Sequence, residues 1–84
     1  MQPAMTNLGV AYLGHGLDEK AREILEKAVM TDPESAPSHY NLGLALERLG
    51  KKRDALRSYR ETLKIDPSHD DAQRGVGRLA ADQK

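Results

Sequence analysis

Apolar residues in the middle of the chain recur at three- and four-residue steps. Leu42, Ala45, Leu46 and Leu49 fall on one stripe of a helix. Gly50 follows, placed to end that helix in the left-handed conformation that glycine adopts freely. A second stripe runs through Ala55, Leu56, Tyr59, Leu63 and Ile65. Asp66-Pro67 closes it, because proline disfavours helical geometry in the residue before it. The same succession stands earlier: Leu8, Ala11 and Tyr12, then Gly16, then Ala21, Ile24, Leu25, Ala28 and Val29, then Asp32-Pro33. Ser68-x-x-Asp71 has the form of a capping box and predicts the start of a further helix. Five helices in succession, with no strand signal, predict an all-α fold.

The pattern is an internal repeat. Shifting the chain by 34 positions aligns residues 2–35 with 36–69 and gives nine identities: Pro3/Pro37, Asn7/Asn41, Leu8/Leu42, Gly9/Gly43, Ala11/Ala45, Gly16/Gly50, Ala21/Ala55, Asp32/Asp66 and Pro33/Pro67. Residues 70–84 begin a third copy, with Val76-Gly77 where the others have Leu-Gly, and read as the first helix of a third repeat or as a capping helix. Gly9 and Gly43 sit mid-helix, where glycine costs about 1 kcal/mol relative to alanine. Their shared phase predicts close approach of a neighbouring helix, with Ala21 and Ala55 as the facing small residues and Leu25 and Tyr59 filling the groove one turn on.

Composition narrows the function classes. The chain has 84 residues, room for one small domain, with 13 basic and 13 acidic side chains. That balance argues against a basic nucleic-acid arm and against disorder. No apolar run is long enough to span a membrane, and Met1 to Gly16 shows no export signal, which leaves the cytoplasm as the default compartment. There is no cysteine, hence no disulfide and no thiolate metal site. His15, His39 and His69 form no H-x3-H and pair with no carboxylate at ligand spacing. Gly14-His15-Gly16 and Gly75-Val76-Gly77 lack the strand and following residues of a phosphate loop or a dinucleotide fingerprint. No catalytic, cofactor or metal residue is assigned, and an enzyme is not expected.

The spacing resembles the tetratricopeptide repeat, a 34-residue unit with W-x2-L-G-x2-Y, then A-x3-F, then P. Here Met5-x2-Leu8-Gly9-x2-Tyr12, Ala21-x3-Leu25 and Pro33 form one copy. His39-x2-Leu42-Gly43-x2-Leu46, Ala55-x3-Tyr59 and Pro67 form the next. The departures are Met5 and His39 at the tryptophan position, Leu46 for tyrosine, and Thr62 where Ala28 is small.

The resemblance implies a helix-turn-helix repeat solenoid, a right-handed superhelix whose first helices line a concave groove for peptides or helices of partner proteins. It places Pro3, Thr6, Asn7, Val10 and Leu13 at that groove, then Pro37, Tyr40, Asn41, Leu44, Glu47 and Arg48, then Asp71, Arg74, Gly75, Arg78 and Asp82. On that basis Val10, Leu13, Tyr40 and Leu44 are expected as an apolar floor and Arg48, Arg74 and Arg78 as a basic wall, with Asn7 and Asn41 clamping a partner's backbone. Some members of the family hold the carboxylate terminus of heat-shock chaperones with two Lys, two Asn and an Arg. Only Asn41 fits that set, the other places holding Thr6, Val10, Asp71 and Gly75, so that role is not expected.

Charge divides unevenly. Residues 1–35 hold three basic and six acidic side chains, and residues 36–69 hold seven and four. The basic cluster of Arg48, Lys51, Lys52, Arg53, Arg57, Arg60 and Lys64 has three readings: a solvated convex face, half of a head-to-tail contact with an acidic neighbour, or contact with an anionic surface. Acids interrupt the cluster and no stacking aromatics interleave it, so nucleic acid is not expected. Glu23/Lys27, Arg22/Glu26 and Arg57/Glu61 are spaced as helical ion pairs. Repeat arrays usually need about three units. Two and a half predict either a piece of a longer array or self-association through open ends, the alternative to groove binding.

Overall fold

The computed structural model describes residues 3–82. Helices form where the stripes place them: α1 (Pro3–Gly14), α2 (Asp18–Thr31), α3 (Ala36–Arg48), α4 (Lys52–Ile65) and α5 (Asp70–Asp82). Gly16 and Gly50 turn the chain between paired helices at φ of 75° and 82°, the left-handed region that a side chain disfavours. Asp32 and Asp66 end α2 and α4, and the Oδ1 of each accepts from a backbone N–H two residues on, Glu34 and Ser68. Each helix packs on the next, and α1 also meets α3. The result is an all-α helical repeat solenoid, 36 × 25 × 18 Å.

The caps follow the repeat rather than the motif. Ser35 caps α3, its Oγ accepting from Ser38 N–H at 3.3 Å. Thirty-four residues on, His69 does the same for α5, its Nδ1 accepting from Ala72 N–H at 3.1 Å. Ser68 is therefore not the cap that its sequence suggests; its hydroxyl donates to Asp66 Oδ1 at 2.9 Å inside the turn. His39 and Gln73 form a second matched pair. Each donates from its side chain to the carbonyl of the proline six residues earlier, Pro33 and Pro67, at 2.9 and 2.8 Å. The polar substitute at the tryptophan position thus staples the helix start to the preceding turn.

The core runs through Leu13, Ala21, Leu25, Leu42, Ala45, Leu46, Ala55, Leu56, Tyr59 and Leu79. Close approach at the glycines is present, but Leu25 and Tyr59, rather than Ala21 and Ala55, come nearest. A methyl on Gly9 would lie 2.5 Å from Leu25 Cγ, and one on Gly43 would lie 2.8 Å from the Tyr59 ring. Gly75 approaches the same ring from α5, at 2.6 Å by the same measure, so Tyr59 is held between two glycines. Thr62 is fully buried and its hydroxyl donates to Ser58 O at 2.9 Å, which satisfies the polar atom that the larger residue brings.

The first stripe behaves differently from the second. Leu42, Ala45 and Leu46 are buried, because α2 packs on α3 from the preceding repeat. Leu8 is 42% exposed, Ala11 is exposed and Tyr12 is half-buried, since no described helix precedes α1. Leu8, Tyr12 and Ile24 line a depression of about 230 Å³ there, with Lys20, Glu23 and Lys27 around it.

Candidate functional site

The odd-numbered helices adjoin along one side. Thr6 of α1 meets Ser38 of α3 through a buried hydroxyl pair at 2.6 Å, and Ser38 continues to Ser35 at 2.8 Å. Between α3 and α5, the Tyr40 ring lies 4.9 Å from His69 and 5.6 Å from Tyr59, both tilted. Arg78 of α5 grips Glu47 of α3 with two bonds of 2.7 Å, and Tyr59 donates its hydroxyl to the same carboxylate at 2.7 Å. One carboxylate therefore ties α3, α4 and α5 together.

Electrostatics on this side follow from that knot. The Arg78 guanidinium holds the Glu47 carboxyl below the usual carboxylate range, against the opposing effect of burial, and the Tyr59 hydroxyl adds to the lowering. Burial pushes the Tyr59 phenol well up, and its bond to Glu47 adds to the rise. Burial likewise raises Tyr40, with Asp71 next in effect.

The expected groove residues range from exposed to buried. Tyr40 and Leu44 are half-buried on α3, packed against the core, while Asn7 and Val10 are exposed on α1, Val10 at 46%. Asn41 is half-buried, and its Nδ2 donates to Pro37 O at 2.8 Å, leaving one amide hydrogen and the side-chain carbonyl for other use. Leu13 is only 4% exposed and packs in the core, so it lies beneath the surface rather than on a floor. Thr6 and Gly75 are likewise taken up by packing. The side chains of Pro3 and Asp82 lie outside the described residues.

The arginines of the expected basic wall all meet carboxylates. Arg48 reaches Asp18 of α2 at 3.3 Å, Arg74 pairs with Asp71 at 2.9 Å, and Arg78 holds Glu47. Arg48 is thereby turned toward α2, away from the Tyr40 cluster. His69, which is not among the expected groove residues, stands against Tyr40 on this face. The signal for it was the shift of Ser35 by one repeat. Among the described residues no group of three or more His, Asp or Glu could hold a metal ion, and no helix is long and apolar enough to cross a membrane.

Two family models described as tetratricopeptide repeat match residues 2–35 and 36–69, and the chain belongs to the tetratricopeptide repeat family. Such repeats are generally protein-interaction modules, and the fold is typically a non-catalytic scaffold. Curated relatives include a probable biofilm formation methyltransferase, WspC, of Pseudomonas putida, 34% identical over 89% of this chain and 18% of that protein. The human protein O-mannosyl-transferase TMTC1 is 34% identical over 70% of this chain and 7% of its own length. The chain thus spans less than a fifth of either relative. Among solved structures, MamA AMB-1 superposes with a TM-score of 0.88 at 23% identity, over 99% of this chain and 45% of that one. A tetratricopeptide repeat domain protein from Salinibacter ruber superposes at 0.72 and 24% identity, over 96% and 90%. These likenesses show the shared fold.

Proposed function

We propose that the side formed by α1, α3 and α5 binds an extended or helical segment of a partner protein. Tyr40 carries this reading: it is a half-exposed aromatic at the junction of α3 and α5, backed by Tyr59 and flanked by charged pairs. Val10 and Leu44 extend the apolar surface, and the exposed amide of Asn7 and the remaining groups of Asn41 offer backbone hydrogen bonds. Because the three arginines already hold carboxylates, an acidic group on the ligand must exchange for one of them. Arg74–Asp71 is the most open pair, at 71% and 60% side-chain exposure. The enzymatic names of the longer relatives are not carried over, since fold likeness alone assigns no chemistry.

The test is capture of partner protein from a native extract by the immobilised chain. Tyr40→Ala and Val10→Lys each lower recovery at least about tenfold, the loss that a binding anchor gives, while circular dichroism shows both variants folded. Undiminished recovery by both dismisses this face as the binding surface. End-to-end assembly is a second reading, supported by the exposed Leu8 beside Tyr12 and Ile24 at one end and by the open surroundings of Gly77 at the other.

A further inference from the structure

α2 and α4 are the same helix in consecutive repeats, and their charges are inverted. Glu19, Glu23 and Glu26 lie along one stripe of α2, and 34 residues on stand Arg53, Arg57 and Arg60 along α4. The inversion continues beside the stripe, at Asp18/Lys52, Lys20/Asp54 and Lys27/Glu61. Every position charged in both helices changes sign.

The two stripes also differ in how they are satisfied. On α2, Arg22 sits among the acids, bonded to Glu19 and to Glu26 at 2.8 Å. On α4 the equivalent residue is Leu56, and among the described residues Arg53, Arg57 and Arg60 have no carboxylate partner. Glu61, spaced to meet Arg57, pairs instead with Lys64 at 3.1 Å. A shallow depression of about 300 Å³ opens between the three arginines over Leu56. The unpaired guanidinium groups are therefore on α4, away from the α1/α3/α5 side.

We propose that the α4 face binds the α2 face of a second copy of this chain. Laying α2 of one copy along α4 of the other, in the same direction, sets Glu19, Glu23 and Glu26 against Arg53, Arg57 and Arg60. A two-fold axis running along the helices then makes the same contact again with the roles exchanged. A nucleic acid fits less well. It would meet Asp54 and Glu61 along with the arginines, and α4 exposes no aromatic for base stacking, Tyr59 being fully buried. The contact is polar and open, so it is weak and salt-sensitive.

Sedimentation velocity over a concentration series tests this. A reversible dimer is expected at low salt, with affinity at least about tenfold weaker at ~0.5 M salt, where screening reaches only a few ångströms. The triple variant Arg53→Glu/Arg57→Glu/Arg60→Glu and the triple variant Glu19→Arg/Glu23→Arg/Glu26→Arg are each monomeric, with unchanged helical circular dichroism. Mixing the two restores the dimer, because each then meets its opposite. A chain monomeric at all concentrations in low salt overturns the proposal, as does a dimer that survives both reversals, or a mixture that stays monomeric. A dimer lost only on Leu8→Lys also overturns it and assigns the contact to the α1 end. None of these outcomes bears on partner binding at Tyr40.

Discussion

Gly43 and Gly77 stand 34 residues apart in the same phase of the repeat, yet their surroundings are opposite. Gly43 is pressed against Tyr59, whereas a methyl on Gly77 would meet nothing within 4 Å. Gly43→Ala is therefore expected to destabilise the chain by about 1–3 kcal/mol through overpacking. Gly77→Ala is expected to stabilise it by about 0.5–1 kcal/mol, by removing a helical glycine with no steric penalty. Thermal unfolding followed by circular dichroism separates the two signs. The need for small residues at Gly9 and Gly43 was legible from phase alone. What presses on them was not, because the spacing of Ala21 and Leu25 along a helix does not say which of the two crosses the glycine.

At the scale of the helix, the knot around Glu47 makes stability depend on pH at both extremes. Its folded pKa is lowered, chiefly by Arg78, so its contribution is present at neutral pH and is lost as pH falls through the acid end of the carboxylate range. Glu47→Gln should lower the melting temperature at neutral pH and flatten its acid dependence. An equally steep acid decline in the variant would remove Glu47 as the cause. Tyr40 and Tyr59 are raised, so the unfolded chain ionises first and stability falls as pH climbs past the ordinary tyrosine range. Helix positions were readable because stripes and stops are local. The ion pairs were not, since Arg78 and Glu47 are 31 residues apart and Arg48 finds Asp18 on another helix. A local reading therefore left as open groove charges what the fold had already matched. The His69 cap was missed for the converse reason: the serine beside it fits the motif, but the repeat register decides the place.

Across the whole molecule, stability is a sum over neighbours. α2, α3 and α4 have packed helices on both sides, while α5 packs on α4 with the Arg78–Glu47 pair reaching across to α3, and α1 leaves Leu8 and Val10 uncovered. Amide hydrogen exchange should be slowest in α3 and α4 and fastest in α1 and α5. Uniform protection along the chain would show instead that it opens only as one unit. The solenoid was legible at this scale from period and punctuation, and the unequal burial of the two Leu-Gly helices was not, because burial depends on which neighbour is present. Tyr59 adds one last consequence. Its ring needs glycine at position 75, whereas the smaller Leu25 stands one repeat earlier, where the counterpart of Gly75 is Asn41. Leucine goes with asparagine and tyrosine with glycine, so the two units are not interchangeable modules. Duplicating the second unit in tandem would set an asparagine against the ring and jam the joint, and any recombination of these units must carry the matching residue across the seam.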